Sequence, residues 1–412
     1  MSQINEDTLL SILASKHHDY ISSIRILDWH INDKIVKEGT NYSTQVSRLT
    51  IRYHPQSEHD ANIPPREETF FLKVPSNSVF YDLIKQWGSY DNEVAIYTKV
   101  LPAMYTIEND DHKGNCSFTS KHYFSDDRMS LVLEDLSQSG YRCADRLDQL
   151  DIEHCFYALR CLAKFHALSV KLETTVGLPE LVKRDAFMSP DGMSDPSITA
   201  FQSHIPMYLD SLPQNLKDRY PNMVEYFQTL TSAENLTLTA NRLTTSKFNV
   251  LCHGDFWTNN IMFEYDKYDT IREVKLIDFQ LTSWSNPAKD LIYFIITSVK
   301  FELYLKYFPL LLRIYLDTLN RVLSRLECPT YHMNQLLDDL DTMYPLAPLI
   351  LCTALPLITS DPDDPIDTKE MSKDDKYESK SMAKAFKHKR FREISAMWFE
   401  HLAQKGTMRI DE

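Results

Sequence analysis

No excess of positive charge runs through this chain. Its 412 residues hold 44 Lys and Arg against 58 Asp and Glu, a net charge of −14 at pH 7. Without a basic surplus there is little to neutralise a polyanion, which argues against nucleic acid and anionic membrane as partners. Paired-cysteine chemistry is missing as well. The seven cysteines, at 116, 143, 155, 161, 252, 328 and 352, are odd in number and include no CxxC pair or Cys/His zinc spacing. They read as reduced thiols, and the expected compartment is cytoplasmic. No basic start followed by an apolar run marks a secretory leader. The sequons at Asn41, Asn115 and Asn235 are therefore expected to stay unmodified. Residues 344–358 carry no charge but span fifteen residues and include three prolines. A membrane-spanning helix needs about 20, so this stretch reads as a buried core helix. No internal repeat is evident. At 43% hydrophobic residues, the chain is long enough to bury two sizeable cores.

What is present is concentrated in one stretch, Val250-Leu251-Cys252-His253-Gly254-Asp255-Phe256-Trp257-Thr258-Asn259-Asn260-Ile261-Met262-Phe263, followed by Leu276-Ile277-Asp278-Phe279-Gln280. Apolar, strand-like runs flank polar groups that chemistry could use. Moving a γ-phosphoryl group from ATP to a hydroxyl asks for positioning and charge neutralisation. Asp255 suits the acceptor of the hydroxyl proton, a role worth about 10²–10⁴-fold. Mg²⁺ prefers hard oxygen ligands and takes one or two from protein. Asn260 and Asp278 offer one neutral and one anionic oxygen. The bland alternative is a buried Asp in a turn and a second Asp at a strand end.

The upstream chain supplies parts that such a site would need. Residues 33–38 read as a strand and residues 39–44 as a turn, with Gly39 and Ser43 placed to lay backbone N–H groups over phosphates. Residues 45–53 alternate, with Leu49, Ile51 and Tyr53 on one face and Arg48, Thr50 and Arg52 on the other. With a single glycine in the turn, an ordinary hairpin is the default reading of this segment. After a polar insert at 54–68, Lys73 sits inside the apolar strand Thr69 to Val74. A lysine there is often a snorkelling edge residue. The helical pattern over 79–101 that follows carries Glu93, and a Lys73–Glu93 ion pair would aim the ammonium at phosphates. A solvated Glu93 is the other reading. Strands at 117–124 and 129–133 then lead to Glu134-Asp135-Leu136, a link whose backbone groups at Glu134 and Leu136 are placed to pair with adenine.

These residues resemble the ecdysteroid kinase-like (CHK kinase-like) family, a branch of the protein-kinase-like fold related to choline and aminoglycoside kinases. The resemblance rests on Leu131 to Leu136 with Gly140-Tyr141, Ala163-Lys164-Phe165-His166-Ala167, His253 to Met262, Ile277-Asp278-Phe279-Gln280 and Lys289-Asp290-Leu291-Ile292-Tyr293-Phe294, and spans about residues 33–405. It implies an α+β, two-lobed fold: a small antiparallel-sheet lobe over 1–134 that binds nucleotide, and a larger, mostly helical lobe over 135–412. It also implies ATP- and Mg²⁺-dependent phosphorylation of a hydroxyl on a small molecule, with steroids as the name-giving acceptors. Asp290 is then expected to accept hydrogen bonds from the catalytic-loop backbone.

The residues argue against a protein kinase. Gly254 and Trp257 stand where those enzymes carry Arg and Lys, and Asp-Phe-Gly has become Asp-Phe-Gln. Eleven residues separate Asp278 from Asp290, which leaves little room for an activation loop. Trp257 either lines the acceptor pocket or fills the base of the loop. The remaining alternative is a catalytically weak pseudokinase that binds nucleotide or a small ligand. Residues 151–172 put Ile152, Cys155, Leu159, Leu162 and His166 on one helical stripe, with His166 in a structural role. A helical insert over 173–249 is expected above the acceptor site, and Phe201, His204, Met207 and Tyr208 are its pocket candidates, with helix packing as the default. Residues 359–381, rich in Asp, read as a mobile loop. The basic cluster Lys384 to Arg392 reads as a solvated face.

Overall fold

The computed structural model describes residues 4–17, 24–33, 44–55, 64–75, 88–109, 118–126, 130–185, 195–243, 247–361, 363, 366 and 380–406. Gly39 and Ser43, the expected strand beyond residue 33 and most of the acidic loop lie outside the described residues.

The first third of the chain forms a five-stranded sheet in the order β1-β2-β3-β5-β4. The strands are β1 (Ile24–Asn32), β2 (Thr44–Pro55), β3 (Arg66–Pro75), β4 (His122–Ser125) and β5 (Leu131–Glu134), all paired antiparallel. Alternation sorts their side chains onto two faces. On one face Leu49, Ile51, Tyr53, Phe70, Leu72 and Val132 pack against Leu9, Ile12 and Leu13 of the Glu6–His17 helix. The opposite face carries Val46, Arg48, Phe71 and Lys73. The register pairs Val46 with Lys73 and Arg48 with Phe71, and sets Lys73 against Leu131. Lys73 therefore projects away from the small core and toward the rest of the chain.

Below the sheet, helices dominate. The 24-residue helix Ile152–Thr175 begins at Asp151, whose side chain accepts from the amide of His154. That satisfies one of the orphan N–H groups of the first turn. Of its expected stripe, Cys155, Leu159, Leu162 and His166 are buried, while Ile152 in the first turn is half-buried. The helix packs against the 25-residue helix Phe301–Arg325. Two small sheets lie beside this pair: β7 (Val250–Cys252) with β10 (Ser283–Ser285), and the meander β6 (Tyr141–Cys143), β8 (Ile261–Tyr265) and β9 (Ile271–Leu276) in the order β6-β8-β9. A bridge from Thr119 to Leu276 joins the region ahead of β4 to the end of β9.

The insert forms helices Glu180–Lys183, Asp195–Ser211, Gln214–Arg219, Pro221–Thr229 and Ala233–Leu243. Its pocket candidates take the packing role. Phe201 and Tyr208 are fully buried, Tyr208 stacks on Phe227, and His204 meets the edge of Phe386. Burial lowers the pKa of His204 to about 4. The basic cluster is not wholly solvated either. Arg390 donates to the carbonyl of Leu147 and to Gln149, and Arg392 donates to the carbonyl of Ser211.

No single described helix is long and apolar enough to cross a membrane. The uncharged stretch at 344–358 forms helices Leu346–Cys352 and Ala354–Ile358, the first of them buried at every position.

Candidate active site

Strand β7 is buried along its whole length and delivers the chain into a loop at His253. The turn is possible because residue 254 is glycine. Its φ is +81°, and a Cβ there would lie 1.9 Å from the carbonyl oxygen of Leu281. Left-handed backbone and backbone contact together exclude any side chain.

Helix Ala288–Ser298 backs this loop from one side. Asp290 accepts from the amides of His253 (2.6 Å) and Gly254 (2.9 Å). Ser298 Oγ accepts from the amide of Thr258 at 3.0 Å. Phe294 stacks on Phe256, with ring centroids 4.8 Å apart. Tyr293 donates its hydroxyl to Oδ1 of Asp255 at 2.8 Å. These contacts recur at helical spacing, so one face of one helix holds most of the loop.

Within the loop, Asn260 Nδ2 donates to both the backbone oxygen and Oδ2 of Asp255, each at 2.8 Å. Spending both amide hydrogens turns the carboxamide oxygen of Asn260 away from Asp255. Asn260 also accepts at its carbonyl from the amide of Ile277, 3.0 Å away. That bond ties the loop to the residue before Asp278. His253 fixes the same junction: its Nε2 lies 3.0 Å from the carbonyl of Ile277, which can only accept, so Nε2 carries the hydrogen. Burial lowers the His253 pKa against the pull of Asp290 and Asp278. A neutral ring bonded to backbone supports the loop rather than shuttling protons.

The sheet supplies the other half. Lys73 Nζ lies 2.7 Å from Glu93 Oε2 and 2.8 Å from Asp278 Oδ1. Glu93 comes from the helix Ser89–Ala95, where the adjacent Asn92 donates to the carbonyls of Gln280 and Thr282. Asp278 itself is left-handed at φ +68°, an uncommon state for a residue with a Cβ and one concentrated at functional sites.

The electrostatics follow from this crowding. Burial opposes the charge on Lys73, but Asp278 and Glu93 more than offset it and hold the ammonium above the ordinary lysine range. Burial raises the Glu93 pKa; Lys73 counters this and Asp278 adds to it. Asp255 is pushed up to about 6, first by burial and then by Asp278, against hydrogen bonds from Tyr293, Asn260 and Trp257. Two carboxylates thus meet one ammonium, a third, Asp255, lies within reach of the Asp278 charge, and full ionisation of all three leaves two negative charges uncompensated. A divalent cation held by the outward oxygens of Asn260 and Asp278 would balance them. The donor set is all oxygen, which suits Mg²⁺.

Behind the loop lies a second buried group. His166 Nε2 is 3.1 Å from Asp290 Oδ2, and its Nδ1 is 2.8 Å from the hydroxyl of Tyr315. His166, Cys252 and Asp290 bring ligand atoms close together. However, Cys252 Sγ donates to the carbonyls of Ser285 and Asn286, and Asp290 is spent on the loop amides. The cluster is architectural.

The sequence-predicted residues therefore fall into three sets. Lys73, Glu93, Asp255, Asn260 and Asp278 form one hydrogen-bonded constellation. Glu134 and Leu136 flank the link but offer less than expected. The Glu134 amide donates to Lys121 (2.8 Å) and the Leu136 carbonyl accepts from Gly140. The Glu134 carbonyl and the Leu136 amide are left as the candidate adenine contacts. Gly39 and Ser43 lie outside the described residues. Sequence reasoning gave no role to Tyr293, Ser298 or Asn92. Tyr293 stands three residues after Asp290 in a helical run, and that spacing alone puts both on one face.

No curated protein matches the chain. Among solved structures, the macrolide 2'-phosphotransferase MphH from Brachybacterium faecium is similar at 13% identity, over 89% of this chain and 95% of its own, with a TM-score of 0.37. A choline/ethanolamine kinase family protein from Mesorhizobium loti is similar at 12% identity, over 84% and 89%, with a TM-score of 0.33. No residue's role rests on either. The family described as the ecdysteroid kinase-like family matches residues 38–328, more than two thirds of the chain, and the chain belongs to that family.

Proposed function

We propose that the protein is an ATP- and Mg²⁺-dependent kinase that phosphorylates a hydroxyl group on a small molecule, a steroid or another hydroxylated compound. One observation carries this reading. The Asp255–Asn260 pair of one loop is tied, through the Ile277 amide on the Asn260 carbonyl, to the neighbouring Asp278, which in turn bonds Lys73 from a distant strand. Family membership supports the reaction class.

In this reading the acceptor oxygen attacks the γ-phosphorus of ATP. The bond from that phosphorus to the β–γ bridging oxygen breaks, its electron pair leaves with ADP, and the acceptor proton passes to Asp255. Lys73, oriented by Glu93, contacts the phosphates. Asn260 and Asp278 would hold Mg²⁺, which would supply charge neutralisation on the phosphate oxygens. Trp257 is buried and close enough to Asp255 to lower its pKa, so we assign it to the floor of the acceptor site.

The test is to incubate the protein with MgATP and a panel of hydroxylated steroids, plant glycosides and amino alcohols. The expected result is a mass gain of one phosphate on at least one compound. Thermal stabilisation by MgATP with no transfer to any of them points to a nucleotide-binding pseudokinase instead. Neither stabilisation nor transfer removes the reading altogether.

A further inference from the structure

We infer that Tyr293 is a positioning residue of the transfer step: its hydroxyl holds Oδ1 of Asp255 while Asn260 holds Oδ2, which fixes the carboxylate plane toward the incoming hydroxyl. The inference rests on the proposed role of Asp255 as proton acceptor. It adds a residue to that step and says how it acts.

Three observations carry it. The first is direct contact. The Tyr293 hydroxyl lies 2.8 Å from Asp255 Oδ1, and against an ionised carboxylate a phenol can only donate. The second is geometry. An ionised carboxylate has about four acceptor sites. Tyr293 takes one on Oδ1 and Asn260 takes one on Oδ2. The directions that remain are those available to an acceptor hydroxyl. The third is placement. Tyr293 shares its helix with Asp290 and Ser298, whose oxygens accept from the loop amides of His253, Gly254 and Thr258. Among these polar contacts, Tyr293's is the one made to the reacting side chain. Its neighbours Ile292 and Phe294 are buried, while Tyr293 is partly exposed, so the ring stands at the rim of the core.

A purely structural tyrosine would serve packing, and its hydroxyl would be dispensable. A positioning tyrosine acts through Asp255 and leaves nucleotide binding alone. Charge-assisted hydrogen bonds are individually strong, and small misplacements of a catalytic group are costly in rate.

The experiment compares native protein, Tyr293→Phe, Asp255→Asn and the double variant. Turnover is read as phosphate release from MgATP with water as acceptor and as mass gain on the hydroxylated steroid panel. Nucleotide binding is read by calorimetry with MgATP. For Tyr293→Phe the expected kcat is lower by about tenfold, with the KM for ATP within about twofold of native and the melting temperature nearly unchanged. In the Asp255→Asn background, Tyr293→Phe should cause no further loss, because residues acting as one unit are non-additive. Native-like kcat in Tyr293→Phe, or an equal loss in both backgrounds, overturns this inference while leaving the kinase reading standing. Native-like turnover in Asp255→Asn removes the proton-acceptor role itself, and the positioning role with it.

Discussion

Asp278 and Asp290 are twelve residues apart and of identical chemistry, yet their surroundings differ in kind. Asp290 is fully buried, and both its oxygens are occupied by loop amides and His166. Burial pushes its pKa up, but the His166 contact and the other groups around it pull it below the ordinary carboxylate range. Asp278 keeps 17% side-chain exposure, and one oxygen meets Lys73. Its backbone is left-handed, and a second carboxylate, Asp255, stands close enough to be perturbed by it. The lesson concerns unspent valence. A carboxylate whose acceptor sites are all taken by backbone is a structural element. One held beside others of like charge, with an oxygen turned outward, is arranged for a cation or a substrate.

The sharpest way to break this contrast is Asp278→Ala. Removing the proposed anionic metal ligand should cut phosphoryl transfer by about 10³-fold or more, while the Lys73–Glu93 pair remains and the urea midpoint falls less than in Asp290→Ala. Unchanged turnover would strip Asp278 of its assignment. The reverse pattern is expected for Asp290→Ala. Three donors lose their acceptor inside the core, at a cost of about 3–5 kcal/mol in unfolding free energy by urea titration. A variant as stable as native would show that Asp290 does not hold the loop.

A smaller effect separates the two regions by pH, in metal-free protein. Asp255 has its pKa raised from 3.8 to about 6, so its ionised form is disfavoured by folding. That penalty is present above pH ~6 and is relieved as pH falls toward the unfolded value. Asp290 is lowered, so its contribution is present above the unfolded value and is lost as pH drops through its folded pKa, below 3.8. Asp255→Asn should therefore melt higher than native at pH 7.5, and the gap should close by about pH 4. A gap that widens on acidification would contradict the assigned sign.

Much of the constellation was legible because its parts are tied to local pattern. Lys73 interrupts an apolar strand, and Glu93 follows on a helix. His253 to Asn260 sits between two strand-like runs. β2 announced its faces through Leu49, Ile51 and Tyr53, all buried. What stayed hidden depended on contacts that no short window contains. β1 was missed because, as an edge strand, it is largely exposed and shows no clean alternation across Asp28, Trp29 and His30. The apolar positions of Phe201 and Tyr208 were visible, but nothing local distinguishes a pocket wall from a core. Tyr208 packs with Phe227 and Phe391, the latter from 183 residues further along. Lys289 belongs to the same run as Asp290, yet its partner Asp185 lies 104 residues away.

Gly254 lies so close to Leu281 that no methyl group fits between them. The segment bearing Asp255 and the segment bearing Asp278 are therefore wedged against one another and cannot slide independently. A displacement of either must carry the other with it. Tolerance for acceptors of different shape then has to come from walls that can yield, and the floor beneath the reacting atoms stays one rigid piece.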